Sequence, residues 1–475
     1  MPVRSVTLPD GVPAPLRDGL TDLMTRLKIA TDFSSEVLAE AKAARPAEAK
    51  RVDLTDLPFV TLDPEGSTDL DQAIHLSKQG SGFRLRYAIA DVAAFVAPNG
   101  AVAQESFERG QTVYAPGARY PLHPPVLSEG AASLLADGKD RPAAVWTIDL
   151  DADGAVVEGR VERAWVRNRA QLSYTGAQAD LDAGRTDEMI RLIAEVGRLR
   201  QEQEAARGGA SLNLPDQEIV STDRGWELDF RQMEPIENWN AQISLLTGHV
   251  AALLMLEAGT GVLRTLPPAE EEGVERLRRV AQGLGISWPQ KRSYPEFLRT
   301  LDITKPTHLA MMTSCTTLFR GADYEVFSGG APADPPLHGA LAMPYAHVTA
   351  PLRRLVDRFG TEICLSHCAE VPVPEWIGEK LESLPETMRR CDSRTGQFER
   401  GVISLTEALV LSTRVGDVFE GVVTSKFENR VRVQLADPAV EIDAYGRSAL
   451  GRMAKIRIES VDLKTGKVRA EVERD

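Results

Sequence analysis

Apolar residues change their period along the chain. Leu16, Leu20, Leu23, Met24 and Leu27 recur every three to four positions, as do Val37, Leu38 and Ala41. Residues 1–50 therefore predict a short helical region, ending in the linker-like stretch AEAKAARPAEAK. From Arg51 short apolar runs (Phe59–Leu62, Phe83–Ala90, Ala143–Leu150) alternate with Gly, Pro and Asp turns, which predicts strands. From about Asp187 the spacing turns helical. Ile190, Ile193, Val196 and Leu199 mark one helix, and Ile243, Leu246, Val250, Leu253 and Leu254 another. Met388, Cys391, Thr395, Phe398, Val402, Leu405 and Leu409 mark a long helix with one buried face. The last stretch alternates with period two (Val431, Val433, Leu435; Ile456, Ile458; Val468, Ala470, Val472) between glycines, the pattern of a small OB-type β-barrel. The expected organisation is a helical region at 1–50, an α+β domain at 51–410 and a barrel at 411–475.

Composition narrows the function classes. The 475 residues carry 55 Lys and Arg against 69 Asp and Glu, a net charge of −14. A chain this acidic is not a general polyanion binder, so attraction to nucleic acid has to be local or carried by metal ions. The barrel region is nearly neutral, so the acidity lies elsewhere. No run of eighteen apolar residues and no N-terminal apolar core segment is present, so no membrane span and no signal peptide are expected. The 4 cysteines, Cys315, Cys364, Cys368 and Cys391, form no C-x-x-C pair, which suits a reducing, cytoplasmic setting. Cys364 and Cys368 flank His367 on a predicted helix. Buried packing explains them better than a zinc site.

The richest chemistry lies in Thr61-Leu-Asp63-Pro-Glu-Gly-Ser-Thr-Asp69-Leu-Asp71-Gln72. Asp69 and Asp71, two apart on extended chain, project to one side, and the Pro-Glu-Gly turn can fold Asp63 back beside them. Converging carboxylates call for a hard cation, and an oxygen-only ligand set suits Mg²⁺ or Mn²⁺. Spacing alone also fits a polar surface turn. The flanks, Asp53-Leu-Thr-Asp56-Leu-Pro-Phe-Val-Thr-Leu-Asp63 and Ala88-Ile-Ala-Asp91-Val, make this segment resemble the RNB domain of the RNase II and RNase R family of exoribonucleases. That resemblance implies that Asp63, Asp69 and Asp71 bind magnesium and that Asp71 is catalytic. Gln72 stands where the family usually has a fourth Asp and offers a neutral oxygen instead.

Further blocks follow in family order. In Tyr114-Ala-Pro-Gly-Ala-Arg-Tyr-Pro, Tyr114 falls where the family stacks an aromatic ring on a base of single-stranded RNA. Arg169-Ala-Gln-Leu-Ser-Tyr174 resembles the strand whose Tyr approaches the 3′-terminal nucleotide. Its helical partner, a Glu in the family, is matched by Gln242, and the second stacking aromatic by Leu214. Tyr345-Ala-His347-Val-Thr-Ala-Pro351-Leu-Arg353-Arg354-Leu-Val-Asp357 resembles the family's arginine block. Pro351 suits the first turn of a helix, which would place Arg353 and Arg354 at its positive end, poised for a phosphate. Surface ion pairs are the alternative. The family's phosphate-clamping, catalytic arginine falls at Arg353. His347 reads as a structural hydrogen-bonding residue, with a general base as the alternative. Gln397-Phe-Glu399-Arg places Glu399 on the acid that approaches the terminal nucleotide, or equally in a helix ion pair.

Residues 416–468 resemble an S1 RNA-binding domain, while residues 1–50 are too short for the family's cold-shock barrels. The resemblance therefore implies an RNB domain, a mixed sheet packed with helices, followed by an S1 barrel. It implies a Mg²⁺- or Mn²⁺-dependent hydrolase that degrades RNA processively from single-stranded 3′ ends to nucleoside 5′-monophosphates. Such a protein is expected to act as a cytoplasmic monomer. A non-catalytic RNA-binding protein is the alternative, favoured by Gln72 and Gln242.

Overall fold

The computed structural model describes residues 6–7, 12–185, 187–212, 214, 216–222, 225–435, 437–438 and 440–473. The chain opens with β1 (Val6–Thr7), α1 (Ala14–Leu27) and α2 (Ser35–Ala43). The linker-like stretch is thus helical as far as Ala43. The Glu40 carboxylate within it accepts from the backbone amides of Ala101 at 2.6 Å and Val102 at 3.3 Å, which fixes α2 against the next helix.

The central domain runs through β2 (Val52–Asp53), β3 (Phe59–Asp63), β4 (Gln72–Gln79), β5 (Gly82–Ala90), α3 (Ala101–Arg109), β6 (Val113–Ala115), β7 (Ala118–Tyr120), β8 (Arg141–Leu150), β9 (Val156–Val166) and β10 (Asn168–Ser173). Helices α4 (Tyr174–Asp182) and α5 (Glu188–Ala206), the pair β11 (Asp216–Thr222) and β12 (Gly225–Arg231), and helix α6 (Pro235–Ala258) come next. They are followed by β13 (Gly261–Thr265), α7 (Glu271–Gly283), α8 (Tyr294–Leu298), α9 (Pro306–Cys315), β14 (Asp323–Phe327), α10 (Leu355–Cys368), α11 (Glu375–Leu381) and α12 (Leu384–Ser412).

The main sheet has the order β10-β3-β4-β5-β8-β9-β2 and is mixed, because β10 joins β3, and β2 joins β9, in parallel. Strand alternation gives its two faces different characters. Ile74, Leu76, Tyr87, Ile89, Trp146 and Ile148 pack against α5, α6 and α10. The opposite face is built from smaller residues, Ala73, Ala88, Ala90, Ala143 and Val145, which let α2 and α3 approach. Burial on both faces explains the nearly unbroken apolar run of β8.

Helix α6 begins with Pro235 and a Glu234–Glu237 capping box and ends at Gly259 in the left-handed region. By length and composition it could cross a membrane. Here it is the central core helix, against α5, α10 and β13. Helix α12 carries the predicted buried stripe and packs on α1 and on the barrel. The barrel closes in the order β15-β16-β17-β19-β18 (Val418–Lys426, Arg430–Leu435, Glu441–Tyr445, Lys467–Val472, Met453–Asp462). Val431, Val433, Leu435, Ile456, Ile458 and Ala470 fill it.

Two local expectations change. Helix α10 starts at Leu355, so Pro351, Leu352 and Arg353 form a turn ahead of it and Arg354 is its N-cap residue. Tyr174 is the first residue of α4, just beyond the strand, with Ser173 capping the helix through the Gly176 amide.

Candidate active site

The acid loop joins β3 to β4. Asp63 ends β3, and Gly66, with φ of 79°, makes the turn. Leu70 is buried and anchors the loop: its amide donates to Ser133 Oγ at 2.9 Å and its carbonyl accepts from Leu134 at 3.0 Å. Ser133 Oγ in turn donates to the Thr68 carbonyl at 2.7 Å. Asp69 and Asp71 therefore flank a fixed point.

Asp71 is buried. Its carboxylate accepts from the Leu352 amide at 2.7 Å and from Arg353 Nε at 3.3 Å. Burial raises its carboxyl to about 7 against the opposing charge of Arg353, and Asp63 is raised to about 6 for the same first reason, with Asp69 adding to it. No hydrogen bond or ion pair ties the Asp63 carboxyl to another described residue. Asp69 pairs with Arg119 at 2.5 Å, and Arg119 also reaches Glu129 at 2.8 Å. Arg119 was not singled out from the sequence. The hairpin β6–β7 pairs it with Tyr114, so the signal lay in the Ala-Pro-Gly-Ala turn between them. Tyr114 is half-exposed, and its hydroxyl is pushed up to about 12 by burial, with Arg353 opposing and Asp69 and Asp71 adding.

On the far side of Asp63, the Tyr174 hydroxyl accepts from Asn240 Nδ2 at 3.2 Å and is pushed up to about 12, first by burial and then by Asp63. Asn240 also approaches the Leu62 carbonyl at 3.4 Å. The residue that α6 presents to the site is thus Asn240. Gln242, two residues on and so about 200° around the helix, points to α5 and donates to Glu204 at 2.7 Å.

Other expected site residues take different places. Strand alternation sends Gln72 to the face of Tyr87, where its Oε1 accepts from the Tyr87 hydroxyl; that hydroxyl feels Asp63, Tyr174 and Arg353, so Gln72 meets the cluster through Tyr87. Arg354 is spent on buried Asp357, in two hydrogen bonds of 2.8 Å each, and is not free for a phosphate. Leu214 is buried in a side core with Leu212 and Leu266 and cannot stack on a base. Glu399, on α12, makes no hydrogen bond or ion pair with a described residue; burial raises its carboxyl, with Asp392 adding. His347 is a structural residue: its Nδ1 lies 2.8 Å from the Tyr324 hydroxyl, and burial keeps it neutral. Cys364 and Cys368 pack against the backbone of Ala251 and Val161.

Among the described residues no three His, Cys, Asp or Glu side chains form a closed metal cage. The donor set nonetheless fits a hard divalent cation. It is all oxygen, and burial has raised Asp63 and Asp71 with Arg353 as the cation common to both. Asp63 and Asp71, with Asp69 beside them, are the residues that would hold it. Arg353, with its side chain 43% exposed and only Nε engaged, keeps its terminal amino groups for an anion.

Comparison with known proteins identifies the domains. The RNB domain matches residues 51–360, and the RNase II-type exonuclease C-terminal S1 domain matches residues 417–473. Ribonuclease R of Escherichia coli (strain K12) is 27% identical over 422 residues, which are 82% of this chain and 50% of that protein. The chain spans about half the length of that relative. Mycoplasma genitalium RNase R, solved in complex with ribose methylated single-stranded RNA, superposes with a TM-score of 0.83 at 18% identity, over 99% of this chain and 85% of that one. Yeast Ssd1, a pseudonuclease, superposes with a TM-score of 0.71 at 14% identity, over 90% of this chain and 55% of that one.

Proposed function

The chain belongs to the RNB-domain family and carries that family's C-terminal S1 domain, and on this premise we propose that it is a Mg²⁺-dependent exoribonuclease that shortens RNA hydrolytically from the 3′ end. The observation that carries the proposal is the meeting of buried Asp71, unpaired Asp63 and half-free Arg353 between two tyrosines. Tyr114 offers an open ring face for a base. Tyr174 and Asn240 offer hydroxyl and amide groups that can hydrogen-bond the 2′-hydroxyl of a terminal ribose. Arg353 clamps the phosphate charge that builds as the terminal linkage breaks, while its bond to Asp71 orients both groups. Mg²⁺, or Mn²⁺, would supply Lewis-acid activation of water and of the phosphoryl group. The products under this reading are nucleoside 5′-monophosphates, released processively by a monomer acting in the cytoplasm.

A second reading, an RNA-binding protein without turnover, draws on Gln72 and on Arg119. Gln72 removes one charge and is tied to Tyr87, and Arg119 already neutralises Asp69. A 5′-labelled single-stranded RNA incubated with Mg²⁺, Mn²⁺ or EDTA separates the two. A ladder shortening from the 3′ end, lost in EDTA and in Asp71→Asn, supports the nuclease. Tight binding with no shortening under either metal supports the second reading.

A further inference from the structure

The hairpin β6–β7 delivers a cation to the acid loop. Pro116 and Gly117 make its turn, Gly117 with φ of 73°, and the strands register Tyr114 against Arg119, so both side chains lie on one face. Its base is tied to the turn that carries Arg353. The Thr112 amide donates to the Arg353 carbonyl, and the Leu355 amide to the Gly110 carbonyl, each at 3.0 Å. Thr112 Oγ1 accepts from the Leu122 amide at 3.0 Å, and the Tyr120 hydroxyl meets Met24 Sδ of α1 at 3.3 Å. Arg119 is thus carried by a braced element. Its guanidinium is fully engaged. Nη1 donates to Asp69 Oδ1 at 2.5 Å, while Nη2 donates to Thr68 Oγ1 and pairs with Glu129 at 2.8 Å. The Thr68 hydroxyl donates on to Glu129 at 3.2 Å, which closes a ring around the guanidinium.

The charges of the cluster then fix how much more cation it can take. Its carboxylates are Asp63, Asp69, Asp71 and Glu129, and the cations paired with them are Arg119 and Arg353. Arg354 and Asp357, which also act on Asp71, cancel as a pair. Glu65 lies on the exposed tip of the loop, in solvent. Four negative and two positive charges leave two negative ones, which a single divalent ion neutralises. A second ion would make the site a net cation and would need Asp69, whose carboxylate Arg119 holds. Gln72 offers that ion no charge, and its Oε1 is taken by Tyr87.

We infer that Arg119 is a resident cation that holds Asp69 in place of a second divalent ion, so that the acid loop takes one such ion, a role that rests on the metal-dependent reading above. Two-ion sites set a cation on each side of the reacting phosphate. Here one of those cations belongs to the protein. A guanidinium keeps its charge at every working pH and pairs with phosphate oxygens, but it cannot activate water as a Lewis acid. Arg119 is therefore a positioning residue, which fixes Asp69 and sets the number of ions.

Electron paramagnetic resonance of free Mn²⁺, up to millimolar concentration in KCl, counts the ions held by the full chain independently of turnover. The chain carrying both Asp63→Asn and Asp71→Asn gives the background from exposed carboxylates. Above it the wild-type chain should bind one ion and Arg119→Met two. Arg119→Lys, which keeps the charge, should stay at one. Asp69→Asn, with Arg119 in place, should keep its ion, and this holds whether or not Arg119→Met folds. Two ions on the wild-type chain, one on a folded Arg119→Met chain, or none on Asp69→Asn would each overturn the resident-cation role. No ion on the wild-type chain would overturn the metal-dependent reading with it. A count of one with no shortening of RNA would overturn the nuclease reading and leave the role of Arg119 standing.

Discussion

Asp63, Asp69 and Asp71 lie on a loop pinned beneath buried side chains, with Arg353 and Arg119 as the cations in contact with them. The barrel keeps its charge outside and in pairs: Arg432 meets Asp443 at 2.8 Å and Arg469 meets Glu459 at 2.7 Å. Arginines also cover its exposed rings, Arg430 over Phe427 and Arg469 over Tyr445. Burial without full compensation makes single residues matter, because each charge is desolvated and no neighbour can replace it. Exposure with pairing spreads the effect over many weak contacts. One region concentrates its charge in a few irreplaceable groups and the other spreads it over many.

The largest test of that contrast is Asp71→Asn. Turnover on single-stranded RNA should fall by about 10³-fold or more, while RNA affinity in a filter-binding assay stays as it was. Joint loss of both would show that the acid loop also carries binding.

The pH dependence of stability comes next. The raised carboxyls of Asp63 and Asp71 hold protons longer in the folded state, so their contribution is lost as pH rises from about 4 to about 7. His123 runs the other way. Burial lowers it to about 3, so stability is lost as pH falls below the ordinary histidine value. Burial also lowers His338 to about 3 and His347 well below its ordinary value, so the three histidines together outweigh the two carboxyls, and differential scanning calorimetry in EDTA should show a maximum near pH 6–7. Added Mg²⁺ should raise Tm on the alkaline side alone, and Asp63→Asn should remove that gain.

Arg119→Met should lower the Mg²⁺ concentration for half-maximal stabilisation by about threefold to tenfold, since a cation no longer competes for Asp69. An unchanged value would mean that Asp69 is not a ligand. In the barrel, Phe427→Ala and Tyr445→Ala should each weaken single-stranded RNA binding about fivefold or more, with kcat unchanged. Smallest of all, Arg432→Ala should shift stability by less than about 0.5 kcal/mol, measured by urea denaturation.

Much of this was legible in the sequence. Strands β3, β5 and β8 and helices α1, α5, α6 and α12 follow from period alone, since burial of one or both faces repeats along each element. The closed barrel follows from short alternating runs between glycines. Contacts between distant segments were harder to read. Arg119 joins Asp69 only because a hairpin folds it over a loop fifty residues earlier. Asn240, not Gln242, enters the site because helix phase decides which residue does, and a shift of two positions reverses the face. Arg354 looked available for a phosphate until Asp357, one turn into α10, proved to occupy it. The structure thus brings Asp63, Asp69, Asp71, Arg353, Tyr114 and Tyr174 together, holds Gln72 at their edge through Tyr87, and leaves Gln242, Arg354 and Glu399 outside the cluster.

Helix α1 has its partner far along the chain. Gly19 is where it meets Leu405 of α12 and the Leu463 carbonyl of the barrel, so closely that any side chain there would collide with both. Leu16, Leu20 and Leu23 are covered by Phe398, Val402 and Leu405. During synthesis at about 5–20 residues per second, the apolar stripe of α1 therefore waits roughly 20–80 s for its cover to be made. Through that interval it is a sticky surface in a crowded cell, and the last long helix to be translated is the one that hides it.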